Sequence, residues 1–415
     1  MRNIFYSFMI FFFIIIIFSC GKTTEENVND TVSKTNDTVV GGGGTGGTGA
    51  GDSGSTTNSS WTKQLGSSGH EFGLGVTTDS SDNIYVTGMT YEDVVCTRIP
   101  IKCIYANRDI ILIKYNSSGT KQWTKQLGAS SGTYGDYGFG VTPDSSGNIY
   151  VSGHTYRGDF DGKKDNSPSF RTETDLFLVK YNSSGTKQWT KQLKTPASDR
   201  CGAVTTDSSG NIYMTGHTLG GLNGYLIGGS DLFLIKFNSS GKRQWTKQLG
   251  TSDNDQGRGV TTDSSDNIYV SGNTWGGLGG KKHEGKSDIF LIKFNSSGTK
   301  KWIRQFGTSK IDWEYGVTTD SLDNIYVTGY TEGGLDGNTS SGGKDIFLVK
   351  YNSKGTKKWT KQLGTSDNDS GESVTTDSSD NIYVTGWTQG GLDGNTNSGY
   401  EDIILIKYNS SGTKQ

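Results

Sequence analysis

The chain has 415 residues, 62 of them Gly and only 4 Pro, and a formal net charge of −2. A charge so near zero gives no footing for nucleic acid or an anionic membrane surface, so neither is expected as an electrostatic partner. Apolar residues are 31% of the chain, but 9 Trp, 20 Tyr and 17 Phe supply large rings for burial, and Gly without Pro points to many tight turns.

Residues 1–20 read as a bacterial export signal. Arg2 is followed by an almost unbroken apolar run from Ile4 to Phe18, too short for a comfortable spanning helix. Ser19-Cys20-Gly21 then resembles the lipobox at which a lipoprotein signal is cut and its Cys acylated, so Cys20 is the expected lipidation site. Residues 21–60 form a flexible tether, richest in Gly from Gly41 to Gly51. A tether of this length spans roughly 35 Å and would hold a folded head clear of a membrane.

From residue 61 one unit recurs six times. Its signature is Asn-Ile-Tyr-Val-Thr-Gly or a close variant, beginning at Asn83, Asn148, Asn211, Asn267, Asn324 and Asn381. An Asp-Ser-Ser-Asp or Asp-Ser-Ser-Gly turn precedes each copy, with Leu322 in place of the second Ser once. A Gly-rich loop, an apolar run and a tryptophan strand follow. These strands begin at Trp61, Trp123, Trp189, Trp245, Trp302 and Trp359. In the fifth unit the pattern predicts strands A to D at Glu314–Asp320, Asn324–Thr331, Lys344–Asn352 and Lys357–Gly364. The C strands are continuous apolar runs such as Ile346-Phe347-Leu348-Val349, which predicts burial on both faces. Four antiparallel strands repeated six times make an all-β chain, a six-bladed β-propeller over residues 61–415. The orphan D strand Trp61–Gly66 is expected to complete the last blade and close the ring, removing two exposed sheet edges.

These motifs resemble the SBBP-type bacterial β-propeller repeat over about residues 61–415. The resemblance rests on the Asp-x-x-Gly/Asp-Asn-Ile-Tyr-Val-Thr-Gly core, the Gly-Gly-Leu-Asp-Gly loop and the Asp-Ile-Phe-Leu-Val-Lys-Tyr-Asn strand. It implies a surface or secreted propeller and brings no catalytic residues with it. That family is named for seven blades, whereas the strands here count six.

The A–B and C–D turns share one face and hardly vary. The B–C and D–A loops share the other, and binding residues usually lie on variable loops of a rigid scaffold. Two rows of the A strands differ from blade to blade at that face. One row holds Leu74, Phe139, Gly202, Arg258, Tyr315 and Glu372; the other holds Phe72, Tyr137, Arg200, Gln256, Trp313 and Ser370. Period-two spacing puts both on one side of each strand. Tyr137, Phe139, Arg200, Arg258, Trp313, Tyr315 and Glu372 are therefore the candidate ligand-binding residues for a glycan or peptide. The same rings would also serve as a channel plug.

Further candidates are weaker. His154 and His217 on neighbouring blades could hold a metal, but no third ligand is evident, so no metal is expected. Asp253-Asn254-Asp255, Asp367-Asn368-Asp369 and the Leu-Asp-Gly-Asn runs at 335–338 and 392–395 could offer oxygens to Ca²⁺, yet such runs are commonly turn formers, and no cofactor is assigned. Cys96 and Cys103 share one loop, and an oxidising compartment favours their disulfide; Cys201 reads as a small buried residue. The expected whole is a monomeric, lipid-anchored binding or scaffolding module of the cell envelope, at the outer membrane or cell surface. The competing class is an enzyme with its site in the central channel.

Overall fold

The computed structural model describes Lys63 and residues 70–91, 95–98, 101–104, 108–128, 135–156, 160, 173–193, 197–222 and 225–415, with only the backbone of His70, 95–98 and 101–104. The export segment, Cys20, the tether and the strand expected at Trp61–Gly66 lie outside these residues. Residues 61–415 form one compact unit.

Six antiparallel sheets follow one another along the chain. Five hold four strands in the order A–B–C–D, and the sixth holds A, B and C at Asp369–Thr376, Ile382–Thr388 and Asp402–Tyr408. The D strand assigned to that blade is the one outside the described residues. In blade five the strands run Asp312–Thr319, Ile325–Thr331, Asp345–Tyr351 and Lys357–Leu363, within two residues of the expected bounds. Successive A strands, from His70–Thr78 in blade one to Asp369–Thr376 in blade six, pack side by side. They form the inner wall of a six-bladed β-propeller with four strands per blade. An additional hairpin, Val95–Arg98 with Ile101–Ile104, occupies the B–C loop of blade one and sets Cys96 opposite Cys103.

The repeated turn holds each blade from within. In blade four Asp263 Oδ1 accepts from the backbone of Ser265 and Asn267, at 3.0 and 2.8 Å, while Oδ2 accepts from the Tyr269 hydroxyl at 2.9 Å. Asp266 then takes a left-handed backbone at φ 57°, where blades two and three use Gly147 and Gly210. Glycine reaches that region freely, so an aspartate there needs a reason. The reason is a bond between blades: Ser208 of blade three donates to Asp266 at 2.8 Å, Ser264 to Asp323 at 3.0 Å and Ser321 to Asp380 at 2.8 Å.

Other rungs repeat around the wall. The Thr262 hydroxyl donates to the Thr206 carbonyl of the preceding blade, and Lys236 donates to the Ser296 carbonyl of the following one. Between them lie the cores. Tyr213, Leu232 and Leu234 of blade three pack on Val260, Ile268, Val270 and Phe290 of blade four. Five such clusters join the six blades among the described residues.

A steric key runs through these interfaces. In blades one to five the hydroxyl of the B strand faces the A strand of the next blade. Where that strand presents glycine, the hydroxyl belongs to threonine: a Cβ on Gly138, Gly257 or Gly371 would stand 2.9, 2.4 or 2.7 Å from the Oγ1 of Thr87, Thr215 or Thr328. These threonines donate instead to carbonyls of their own C strands. Where a side chain faces it, the hydroxyl belongs to the smaller serine. Ser152 accepts from buried Cys201 at 3.3 Å, and Ser271 donates to Glu314 at 2.7 Å.

The first and last blades depart from the pattern. Val76 of blade one is 69% exposed, while Val141, Val204, Val260 and Val374 are each 7% exposed. The C strand of blade six exposes Ile403 and Leu405, contrary to the burial on both faces that its apolar run predicts. The C strands Asp288–Phe294 and Asp345–Tyr351 of blades four and five are buried throughout.

Candidate functional site

Every A strand carries a β-bulge at the same place, and the extra residue is the variable one. The register skips Leu74 between Gly73 and Gly75, Phe139 between Gly138 and Gly140, and Arg258 between Gly257 and Gly259. It skips Gly202, Tyr315 and Glu372 likewise. A bulge adds an unpaired residue and re-aims its side chain. The second row sits in register with the B-strand ends, giving the pairs Tyr137↔His154, Arg200↔His217, Trp313↔Tyr330 and Ser370↔Trp387. The two rows do meet on one side: the Tyr137 and Phe139 rings lie 6.0 Å apart, and Ser370 donates to Glu372 at 2.7 Å.

The candidate residues fall into three groups. On blade two the His154 ring lies 5.3 Å from Tyr137 and 5.1 Å from Phe139, with the Arg108 guanidinium 5.5 Å over Tyr137 and bonded to its hydroxyl. On blades four and five the Arg258 guanidinium lies 4.3 Å over Trp313 and 5.8 Å from Tyr315, a cation–π clamp. Its Nη2 donates to Gln256 at 3.1 Å, its Nε is buried without a partner, and no carboxylate lies within ion-pair distance among the described residues. On blade six Glu372 accepts from Ser370 and from Trp387 Nε1 at 3.0 Å. Arg200 is exposed beside these groups.

Burial sets the charge states. It pushes both His154 and His217 down to about 3, reinforced by nearby Arg200 and, for His217, first by Arg258. Both imidazoles are neutral at physiological pH. Their cationic surroundings disfavour a metal ion, and no group of three potential ligands gathers among the described residues. The Asp runs have other duties: Asp336 is bonded to Lys357 and Thr360, and Asp393 to Lys414. Burial pushes Arg258 down and Glu372 up from their usual values.

Sequence reasoning missed Glu314. It occupies the row that is Gly73, Gly138, Cys201, Gly257 and Gly371 elsewhere, and that mismatch was the available signal. Its carboxyl is fully buried between blades four and five.

The fold and its bulged inner wall define a β-propeller with a differentiated channel rim. The family model described as the beta-propeller repeat, SBBP, matches residues 60–93, 122–161, 188–223, 244–279, 301–336 and 358–393. These segments cover more than half of the chain, and the protein belongs to that family. It is 25% identical over 457 residues to the uncharacterized WD repeat-containing protein L264 of Acanthamoeba polyphaga mimivirus, covering 85% of this chain and 32% of that protein. It is 26% identical over 266 residues to the regulatory protein FlaEY of Caulobacter vibrioides, covering 55% of this chain and 27% of that one. The chain thus matches about a third or less of the length of these relatives. Among solved structures, the NanB sialidase of Streptococcus pneumoniae aligns over 82% of this chain and 68% of its own at 10% identity and a TM-score of 0.50, a likeness of fold alone. A protein of unknown function from Dyadobacter fermentans aligns over 82% and 94% at 11% identity and a TM-score of 0.48.

Proposed function

We propose that the protein is an exported, lipid-anchored propeller whose B–C/D–A face binds an extended polar polymer, a glycan or a peptide. The observation that carries this reading is the bulge: six times, at the same place in the A strand, it sets outside the ladder a residue that differs in every blade. Rings at Tyr137, Phe139, Trp313 and Tyr315 offer apolar and stacking surface, and all four are half-buried. Arg200 and Arg258 offer donors with no carboxylate paired to them among the described residues, which favours a ligand bearing acceptors or negative charge.

Residues 61–415 on glycan and peptide arrays would identify the ligand. Trp313→Ala should then weaken binding by about 1–3 kcal/mol, as expected of an interface hot spot. If Trp313 is a plug, the loss appears as stability, about 3–5 kcal/mol, with affinity unchanged in the folded fraction. Measuring melting and binding on the same variant separates the two. Turnover of a bound polymer by the wild-type chain would instead favour the enzyme reading.

The anchor and the disulfide rest on one measurement. Mass spectrometry of the mature protein should find an acylated Cys20 at its N-terminus and Cys96 joined to Cys103, which the hairpin backbone sets opposite one another. An intact Met1 would remove the anchor, and free thiols at both positions the bridge.

A further inference from the structure

We propose that the polymer bound at the rim is an acidic glycan, and that Arg200 of blade three and Arg258 of blade four hold one of its anionic groups between them. The proposal rests on the polymer-binding reading above and narrows it to one ligand class.

A missing side chain brings the two arginines together. Blade three is the one blade whose bulge residue, Gly202, has none. The A strand of blade four takes that room: a Cβ on Gly202 would stand 2.6 Å from the Gly257 carbonyl oxygen and 2.9 Å from Arg258 Cα. Arg258 thus lies against the bulge two residues beyond Arg200. Both arginines act electrostatically on the His217 imidazole, and Arg200 also acts on His154 and Tyr137 of blade two.

The fold does not answer these two charges. Among the described residues no carboxylate lies within ion-pair distance of either guanidinium. The acids that Arg258 feels are Glu314 and Glu372. Glu314 already accepts from Ser271, and Glu372 from Ser370 and Trp387. Arg258 Nε is buried without a partner, and Arg200 is exposed. Two like charges beside neutral imidazoles favour an anion between them, and guanidinium forks match the oxygens of a carboxylate or sulfate group.

The bulges favour a glycan over a peptide. The A strand is the inner edge of each sheet, where an extended peptide would add as a further strand. In every blade the extra residue breaks the ladder at that edge. A sugar chain needs no ladder, and its rings stack on aromatic faces such as Tyr137 of blade two and Trp313 of blade five, which flank the pair.

The test measures binding of the full chain, in mild detergent, to polygalacturonate and its methyl ester and to dextran sulfate and dextran. The wild type should bind the charged member of at least one pair about tenfold or more tightly, the scale of one charge-assisted hydrogen bond. Arg200→Gln should remove that preference and keep the wild-type Tm, because Arg200 is exposed. Lys121→Gln deletes an equal charge from an exposed position beside the C–D turn of the opposite face, and should keep the preference. Equal binding of charged and neutral members, or a preference that survives Arg200→Gln, would overturn the proposal and leave the polymer reading standing. Poly-glutamate bound as tightly as the glycans would overturn the choice of glycan. A chain that binds no polymer at all would overturn both readings.

Discussion

Asp263→Ala should lower the stability of the propeller by about 3–5 kcal/mol, the cost typical of breaking a buried charged pair from one side. Its carboxylate serves the backbone of Ser265 and Asn267, the Asn267 amide, the Tyr269 hydroxyl and, at 3.3 Å, the Lys293 ammonium. Alanine would leave the Tyr269 hydroxyl and the Lys293 ammonium in the interior without their shared acceptor, although Lys293 keeps the Ser353 carbonyl at 3.1 Å. Burial alone would raise this carboxyl's pKa, but the bonds from Asn267 and Tyr269 and the charge of Lys293 outweigh it and hold it low. The stabilisation is therefore full above the ordinary carboxylate range and is lost as pH falls through the lowered value. Urea unfolding at neutral pH measures the loss. A change below about 1 kcal/mol, the scale of one ordinary hydrogen bond, would show that the turn holds without its aspartate.

Glu314 should give the opposite pH dependence. Burial drives its carboxyl up from 4.5 to about 7, with the Ser271 hydroxyl and Arg258 pulling back only in part. Its Oε2 is buried without a partner. The folded chain thus holds this proton more tightly than the unfolded one. The stabilisation is complete below the unfolded value, declines as pH rises and is gone above about 7. The full difference is roughly 3 kcal/mol. Burial also raises Asp312, to about 6, so the wild-type slope has more than one source. Glu314→Gln isolates one of them. It should flatten the fall in stability between pH 5 and 8 while leaving the remainder. Identical pH profiles for the two proteins would place the titration elsewhere.

The turns, the strands and the blade count were legible because each is written six times, and repetition separates signal from local accident. The rim rows at Tyr137 and Phe139 were legible as variation against that background. Their bulge was not: Gly-Phe-Gly at 138–140 reads as plain alternation, and only the cross-strand register shows Phe139 standing outside the ladder. Glu314 was passed over because a period-two reading turns it away from the rim, toward an interface that exists only once two blades meet. The exposure of Ile403 was equally hidden, since its strand, Asp402–Tyr408, has the same apolar run as its buried counterparts.

The steric key between blades has a consequence for inheritance. Near-identical tandem repeats invite unequal recombination, which deletes or duplicates whole units. Losing blade four would set Thr215 against Glu314, placing a methyl where Ser271 now leaves room for the carboxylate. Losing blade two would set Thr87 against Cys201 in the same way. Duplicating blade four would only leave Ser271 facing Gly257, a small void. Losing blade three or five would likewise leave only a void, whereas duplicating either would set Thr215 against Cys201 or Thr328 against Glu314. The key thus selects which blade is exchanged rather than growth over loss.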